Sequence, residues 1–549
     1  MPAPDAISIV DADALLRDAS ACHRVLLARD ARFDGRLFVG VRSTGVYCRP
    51  ICPARTPKPS SCRFFATAAA AQEAGFRPCL RCRPEVSPDL AMWRGTSSTV
   101  TRALALIREG ALDGDEASVD RLAERLGVGE RQLRRLFHAH LGASPVSVAQ
   151  TRRVLFAKHL LHETRLPMVQ VALAAGFGSV RRFNESFRML YGRPPRELRR
   201  AAARPDETAP TTPEAAVELR LPFVPPYDWD AMRSFLAARA IPGMEEVVGS
   251  VYRRTLAIGD VHGTVEVTPC AGVAALRVAI RVDDVAVLAD VVARVRRVFD
   301  LGADPHAIAA HLVRDPLLAP LLESRPGLRV PGGWEGFELA VRAILGQQVS
   351  VRGARTLAAR LVARYGTPLA GGRPEDGLTR VFPTPAQLAE ADLATLGVPR
   401  SRGTALVALA RAARDDARLF GTAQSLDAAV ARLRALPGIG EWTAQYVALR
   451  ALREPDAFTA DDLGLQRALA DDAGRRPGAQ ALARRAEAWR PWRAYAAQHL
   501  WTRDAEATPR HRTCVRAEDS DVVDRKVRAR LATPSARDAD RRPRAAAGR

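Results

Sequence analysis

Apolar positions along the chain change period several times, and each change marks a different kind of element. Between about 97 and 200 they recur at helical spacing, as at Val119, Leu122, Ala123 and Leu126. The same stretch repeats at an offset of 50 residues: Val119 with Val169, Leu122 with Ala172, Leu133 with Phe183, Phe137 with Phe187, Gly142 with Gly192, Pro145 with Pro195. Gly127 and Gly176/Gly178 stand where a tight turn separates two helices, so the pattern predicts two helix-turn-helix units in tandem. In the second helix of the first unit, Leu133, Leu136 and Phe137 form the inner face, leaving Arg131, Arg135 and His138 outside. In the second unit Arg181, Arg182, Glu185 and Arg188 are left outside Phe183, Phe187 and Leu190.

The period shifts further on. Val247–Ile258, His262–Pro269 and Ala274–Val282 carry β-branched residues in partial alternation and predict strands, flanked by helices near Ala231–Arg239 and Val285–Phe299. Residues 219–302 therefore read as an α+β module, and helices dominate 303–505. Near the N-terminus, Asp34 to Pro50 reads as strand, turn, strand, within a small unit spanning 1–92. An Ala-, Pro- and Thr-rich stretch at 201–218 reads as a linker, and 506–549 mixes both charges with small residues as disordered tails do. The expected fold is multidomain, mostly α with α+β modules.

Composition narrows the picture. With 47% hydrophobic and 26% charged residues, the chain can fold around cores over most of its 549 residues. No run approaches the ~18 apolar residues of a membrane helix, and no signal-like pattern opens the chain, so a cytoplasmic protein is expected. The formal charge of +21 suggests a polyanionic partner, but all basic residues except Lys58, Lys158 and Lys526 are arginine. Such a skew inflates the total, so the location of the arginines matters more than their number.

Four of the eight cysteines form two pairs, Cys48/Cys52 and Cys79/Cys82. Their C-x3-C and C-x2-C spacings are those of two halves of a tetrahedral zinc site, which in a reducing compartment is the better reading than disulfides. Cys22, Cys62, Cys270 and Cys514 show no partner spacing. The flanking residues, Val46-Tyr47-Cys48-Arg49-Pro50 and Gly75-Phe76-Arg77-Pro78-Cys79-Leu80-Arg81-Cys82-Arg83-Pro84, resemble the N-terminal zinc domain of the adaptive response (Ada) proteins over roughly residues 10–90. That resemblance implies that Cys48 accepts a methyl group from DNA methylphosphotriesters and that Cys48, Cys52, Cys79 and Cys82 hold one Zn2+. Arg42, Arg49, Arg77, Arg81 and Arg83 are expected to hold flanking phosphates. The repeated segment, including Ala174-Ala175-Gly176-Phe177, resembles the AraC-type DNA-binding domain. This implies a transcriptional activator that contacts RNA polymerase and reads promoter DNA through Arg131, Arg135, Arg181 and Arg182.

In the C-terminal half, Leu436-Pro437-Gly438-Ile439-Gly440 lies between amphipathic stretches 426–435 and 441–450. This is a helix-hairpin-helix pattern, whose Gly438 and Gly440 let backbone N–H groups reach a DNA phosphate. Asp461 and Asp462 follow, amid Trp442, Tyr446, Trp489, Trp492 and Trp501. An Asp pair before a helix also suits an N-cap, a role expected of Asp461, while Trp489 and Trp492 are expected in the core. Together with Pro226-Tyr227-Asp228-Trp229, Arg325-Pro326-Gly327-Leu328-Arg329 and Pro491-Trp492-Arg493, residues 220–505 resemble the 3-methyladenine DNA glycosylase II (AlkA) family. The resemblance implies that Asp462 is the catalytic carboxylate and that Phe235, Trp442, Tyr446 and Trp501 form the base pocket. Trp442 stands where bifunctional relatives place a lysine, and no lysine lies between 159 and 525, so no lyase step is expected. Gln348 takes the place of the family's leucine wedge, and Leu463-Gly464 replaces an aromatic-aliphatic pair. No Pro-Cys-His-Arg segment is present, so direct O6-methylguanine repair is not expected. The expected whole is a DNA-3-methyladenine glycosylase fused to a methyl acceptor and an activator, acting on double-stranded DNA. The competing reading is a methylation-responsive transcription factor whose last half only binds DNA.

Overall fold

The computed structural model describes residues 12–87, 99–113, 118–202, 216–369, 377–416, 418–421, 425–471 and 473–507. Most of the expected linker, nearly all of the expected tail and Cys514 lie outside these. The linker's ends are structured: a helix runs Pro195–Ala202, and Val217 already belongs to a strand. At the other end, the Arg493–Ala507 helix takes in the first two residues of the expected tail.

The N-terminal unit is a four-stranded sheet, ordered β3-β1-β2-β4. Strands β1 (Phe38–Val41) and β2 (Val46–Cys48) form the predicted hairpin, with β3 (Cys62–Phe65) antiparallel on the outer side of β1. The short β4 (Arg77–Pro78) runs parallel to β2, pairing Tyr47 with Pro78. That one pairing brings Cys48 and Cys79 to the same end of adjacent strands, although 30 residues of chain separate them.

Two helix-turn-helix units follow. The Leu133/Phe183 and Phe137/Phe187 pairs are completely buried, while Leu136 is only half-buried. Gly142 and Gly192 end their helices in left-handed conformation, at φ 67° and 69°. The repeat is not uniform, however. The first helices, Val119–Arg125 and Met168–Ala174, stand 49 residues apart, whereas the second helices, Glu130–Leu141 and Val180–Tyr191, stand 50 apart. One extra residue lies in the second turn, between Gly176 (φ 80°) and the N-cap Ser179. The residue equivalent to Leu122 is therefore Val171, fully buried, and Val169 is 62% exposed rather than a partner of Val119. The first unit packs around its own core, but Phe183 and Phe187 share one hydrophobic cluster with Leu219, Val267 and Val278 of the next module.

That module is an antiparallel five-stranded sheet, ordered β5-β9-β8-β7-β6. The stretch read as one strand, Val247–Ile258, is two: β6 (Glu245–Val248) and β7 (Val251–Ile258) joined at Gly249-Ser250, with Gly249 at φ 57°. A two-residue hairpin needs such a left-handed position, and glycine supplies it. β5 (Val217–Pro222), β8 (Val261–Pro269) and β9 (Ala275–Val282) complete the sheet. The last part is helical, built around Ile344, Leu361, Leu406, Leu409, Ala444, Val447 and Trp489. Its hairpin joins the Leu426–Arg434 and Glu441–Arg450 helices, as the amphipathic pattern predicts.

Candidate functional site

The four cysteine sulfurs of Cys48, Cys52, Cys79 and Cys82 lie within 4.8 Å of one another. A tetrahedral zinc with Zn–S bonds of about 2.3 Å needs sulfurs about 3.8 Å apart, so the cluster closes around one ion with little movement. Backbone donors reach the sulfurs. Backbone N–H groups of Arg49 and Arg81 donate to Cys82 Sγ and Cys79 Sγ, each at 3.4 Å. Sharing protons with Cys52, Cys79 and Cys82, reinforced by burial, pushes the Cys48 thiol far up, while its bond to Cys48 pulls Cys52 down to about 7. Such competition among packed sulfurs ends when one cation serves all four. The donor set fits one Zn2+ held by four cysteines.

The arginines near this cluster divide by burial. Arg42 and Arg81 are exposed and Arg77 is half-buried. Arg49 is 9% exposed; it pairs with Asp34 and donates to the Cys82 carbonyl, so it braces the site instead of meeting a phosphate. Arg83 is likewise engaged, by Glu85 and Glu163. Behind the cluster, Lys158 of the long Pro145–Glu163 helix is completely buried, donating to the Cys79 carbonyl at 3.0 Å and to Glu85 at 2.7 Å. Sequence reading missed this link, because a lone lysine on a helix gives no sign of where it ends. It ties the zinc knuckle to the helix that joins the two helix-turn-helix units.

Arg131, Arg135 and His138 of the first reading helix are exposed, as are Arg181, Arg182 and Arg188 of the second. Arg181 pairs with Glu185 one turn on, at 2.8 Å on the open surface. An exposed pair of this kind is weak enough to open for a phosphate or a base.

In the helical part, the hairpin puts Gly438 and Gly440 at the surface and plugs Ile439 into the core at 5% exposure. Gly438 sits at φ 76°, and a Cβ there would come within 2.5 Å of Ala405, so no other residue fits. Gly440 caps the Glu441–Arg450 helix without a side-chain cap, leaving the first-turn N–H groups for an anion. Beside it the Gln347 amide donates to the Gly438 carbonyl and to Thr443 Oγ1, both at 3.0 Å. The next residue, Gln348, is exposed in left-handed conformation (φ 55°), which a non-glycine residue holds only under strain.

The carboxylate lies close to the hairpin helix. Asp462 Oδ2 accepts the Trp442 indole N–H at 2.7 Å; Oδ1 accepts the Trp501 indole N–H at 2.9 Å and the Leu465 backbone N–H at 3.0 Å. Asp462 is thus itself the N-cap of the Leu463–Ala468 helix, whereas Asp461, expected in that role, is exposed. Gly464 keeps the near side of the carboxylate open: a Cβ there would stand 3.0 Å from Asp462 Oδ1. Leu463 is 59% exposed.

The expected pocket aromatics come together. Trp442 and Tyr446 stack with ring centroids 5.1 Å apart, and Tyr446 meets Trp501 edge-on at 6.5 Å. Trp489 and Trp492 are buried in the core, at 1% and 6% exposure. One group was not foreseen. Arg450 stands over Phe235, Tyr446 and Trp501 at 4.5, 5.0 and 5.2 Å, and Arg239 stands over Phe235 at 3.8 Å. The signal was present, since Trp442, Tyr446 and Arg450 fall four residues apart on one helix face.

Comparison with known proteins agrees with this geometry. The chain matches the family models described as the metal binding domain of Ada (residues 21–85), a helix-turn-helix domain (122–201), the AlkA N-terminal domain (218–335) and the HhH-GPD superfamily of base excision DNA repair proteins (341–494). It is 40% identical to the DNA-3-methyladenine glycosylase 2 of Escherichia coli over 51% of this chain and 95% of that one. It is 34% identical to the bifunctional transcriptional activator/DNA repair enzyme Ada of the same species, over 23% of this chain and 34% of that one. A Mycobacterium tuberculosis protein named "Probable bifunctional transcriptional activator/DNA repair enzyme AlkA" is 44% identical over 88% of this chain and 96% of its own length. The chain therefore belongs to the family of bifunctional transcriptional activator/DNA repair AlkA proteins, which join an Ada-type metal-binding domain and a helix-turn-helix domain to a base-excision glycosylase, with DNA as their partner.

Proposed function

We propose that the chain excises alkylated bases such as 3-methyladenine from double-stranded DNA by hydrolysis, and that Asp462 is the residue on which this depends. The observation that carries the reading is the Asp462 carboxylate, held by two indole N–H groups and one backbone N–H at the edge of the Trp442, Tyr446 and Trp501 rings. Base excision needs the nucleotide out of the stack. The Gly438 and Gly440 hairpin takes a backbone phosphate, the strained Gln348 fills the gap left in the duplex, and the aromatics, with Phe235, receive the base. The C1′–N bond breaks with its electron pair going to the base. Asp462 stabilises the positive charge left on the sugar, and water adds at C1′. With Trp442 where a lyase lysine would stand, the product is an intact abasic strand.

Cys48 is proposed to take the methyl group of a DNA methylphosphotriester: an S–C bond forms, the C–O bond breaks, and an ordinary phosphodiester leaves. Zinc, when bound, supplies the charge that keeps sulfur as thiolate, the nucleophilic form. Arg42, Arg77 and Arg81 are the arginines placed to meet flanking phosphates. Arg131, Arg135, Arg181 and Arg182 read promoter DNA, and activation implies a contact with RNA polymerase. Among the described residues no helix is long and apolar enough to cross a membrane; we place this work in the cytoplasm, where DNA is found.

Release of base from methylated duplex, wild type against Asp462→Asn, tests the reading. Release by wild type and its collapse in the variant are expected. Undiminished release by the variant would remove Asp462 from the reaction.

A further inference from the structure

Two guanidiniums stand against the pocket aromatics, neither with an acid partner among the described residues. Arg450 is 3% exposed. It donates to the Pro331 carbonyl at 2.8 Å and to the Gln498 side-chain oxygen at 3.3 Å, and its Nε, although buried, has no hydrogen-bond partner. Arg239 is half-buried and donates to the Phe235 carbonyl at 3.3 Å. Among the described residues neither lies within ion-pair distance of an acid. Arg254 and Arg342, by contrast, share Glu245 and Glu338, and Arg453 pairs with Asp300, while Arg329, 2% exposed, has no acid in ion-pair range among the described residues and is held by the carbonyls of Val224, Pro226 and Ala303. An unmatched guanidinium inside a protein is costly. Burial pulls Arg450 down only to about 10, so it remains a cation at neutral pH. The Tyr446 phenol is raised by burial, but the neighbouring Arg450 and Arg239 outweigh this and bring it below its ordinary range.

Position gives these charges a direction. Trp442 holds Asp462, and Arg450 stands eight residues further along the same helix, about 12 Å away along its axis. Between them lie the Tyr446 and Trp501 rings. One end of the aromatic group is therefore anionic and the other cationic. This arrangement does not suit a pocket that works by attracting cationic bases, because Arg450 already lies over three of its rings. It does suit the movement of electrons from sugar to base.

We propose that Arg450, with Arg239 beside it, stabilises the electron pair that the base takes away when the C1′–N bond breaks, and that it matters most for neutral purines, which are poor leaving groups. The inference rests on the glycosylase reading above. A cationic methylated purine leaves as a neutral molecule, and the attacking water gives its proton to solvent. A neutral purine leaves as an anion and takes up the water's proton, while the hydroxyl stays on C1′. The anionic leaving group gains far more from adjacent guanidiniums than the neutral one does.

The test is single-turnover release of hypoxanthine, a neutral base, and 7-methylguanine, a cationic one, from otherwise identical duplexes by the full-length protein. Wild type is measured first; failure to release either base would overturn the glycosylase reading itself. In Arg450→Met, hypoxanthine release is expected to fall about 100-fold and 7-methylguanine release less than about tenfold. Arg450→Lys keeps a cation in place and is expected to restore most of the loss for hypoxanthine. Equal losses for the two bases, or no recovery with lysine, would overturn the proposal, because a purely structural arginine lowers both rates together. Arg239→Met, at a half-buried position, carries the same comparison should Arg450→Met be insoluble.

Discussion

The sulfur cluster and the Asp462 pocket both keep negative charge inside folded protein, and they do so by different means. Around Cys48 the sulfurs meet backbone N–H groups such as those of Arg49 and Arg81, and the Arg49 guanidinium is committed to Asp34. Charge there must be balanced by an ion from outside. Around Asp462 one carboxylate has three N–H donors from the chain itself, and needs nothing further. The first centre is completed by a metal ion, whereas the second is held by donors of the chain itself. The same contrast holds for buried cations: Lys158 has Glu85 as partner, whereas Arg450 has rings, a carbonyl and an amide. The Lys158 charge is matched by an acid inside the fold, whereas among the described residues that of Arg450 has none.

This contrast can be broken experimentally at several points. The largest effect is expected from metal removal. Chelation, or Cys79→Ser, should abolish methyl transfer to Cys48 and unfold the N-terminal sheet, seen as lost protection of β1 and β2 in hydrogen exchange, with base release retained. Collapse of both activities would show that the centres are not independent. Next comes Asp462→Asn, expected to lower single-turnover base release by about 10²–10³-fold. Its melting temperature should change little, because asparagine also caps a helix.

Smaller effects sharpen the comparison of cations. Lys158→Met strands the Glu85 carboxylate in the interior and is expected to cost about 3–5 kcal/mol by denaturant unfolding. Adding Glu85→Gln should recover part of it, since no buried charge then remains. Arg450→Met strands no acid, so its cost should be clearly less than that of Lys158→Met; an equal cost would mean that Arg450 serves the fold. The mildest change, Trp442→Phe, keeps a ring in the pocket but removes the N–H to Asp462 Oδ2. Base release is expected to fall about tenfold, with substrate affinity less affected.

Much of this was legible before any coordinates. The paired cysteines, the tandem helices and the hairpin glycines follow from local spacing, the pocket aromatics from the family resemblance, and the fold brings the cysteines and the aromatics together. The failures are instructive as well. The 50-residue offset is true of Leu133/Phe183 but not of Val119/Val169, because a single residue added in the second turn rotates the preceding helix out of phase. Val247–Ile258 looked continuous because Gly249-Ser250 interrupts the alternation only briefly. The resemblance singled out Asp462, but the cap expected of Asp461 also falls to it, because only the backbone decides that Asp462 both caps the helix and meets the indoles.

Short-range period and spacing thus mark out the modules and the paired cysteines, while the roles expected of Cys48 and Asp462 came with the family resemblance. Partnership was decided by tertiary structure alone. Arg49 braces while Arg42 and Arg81 face solvent; Lys158 locks the zinc knuckle to a helix almost 80 residues away; Arg450 comes to rest over Phe235, more than 200 residues earlier in the chain. An arginine has the same charge wherever it stands. What it does depends on whether the fold places an acid, a carbonyl or a ring within reach, and on how much water remains to compete.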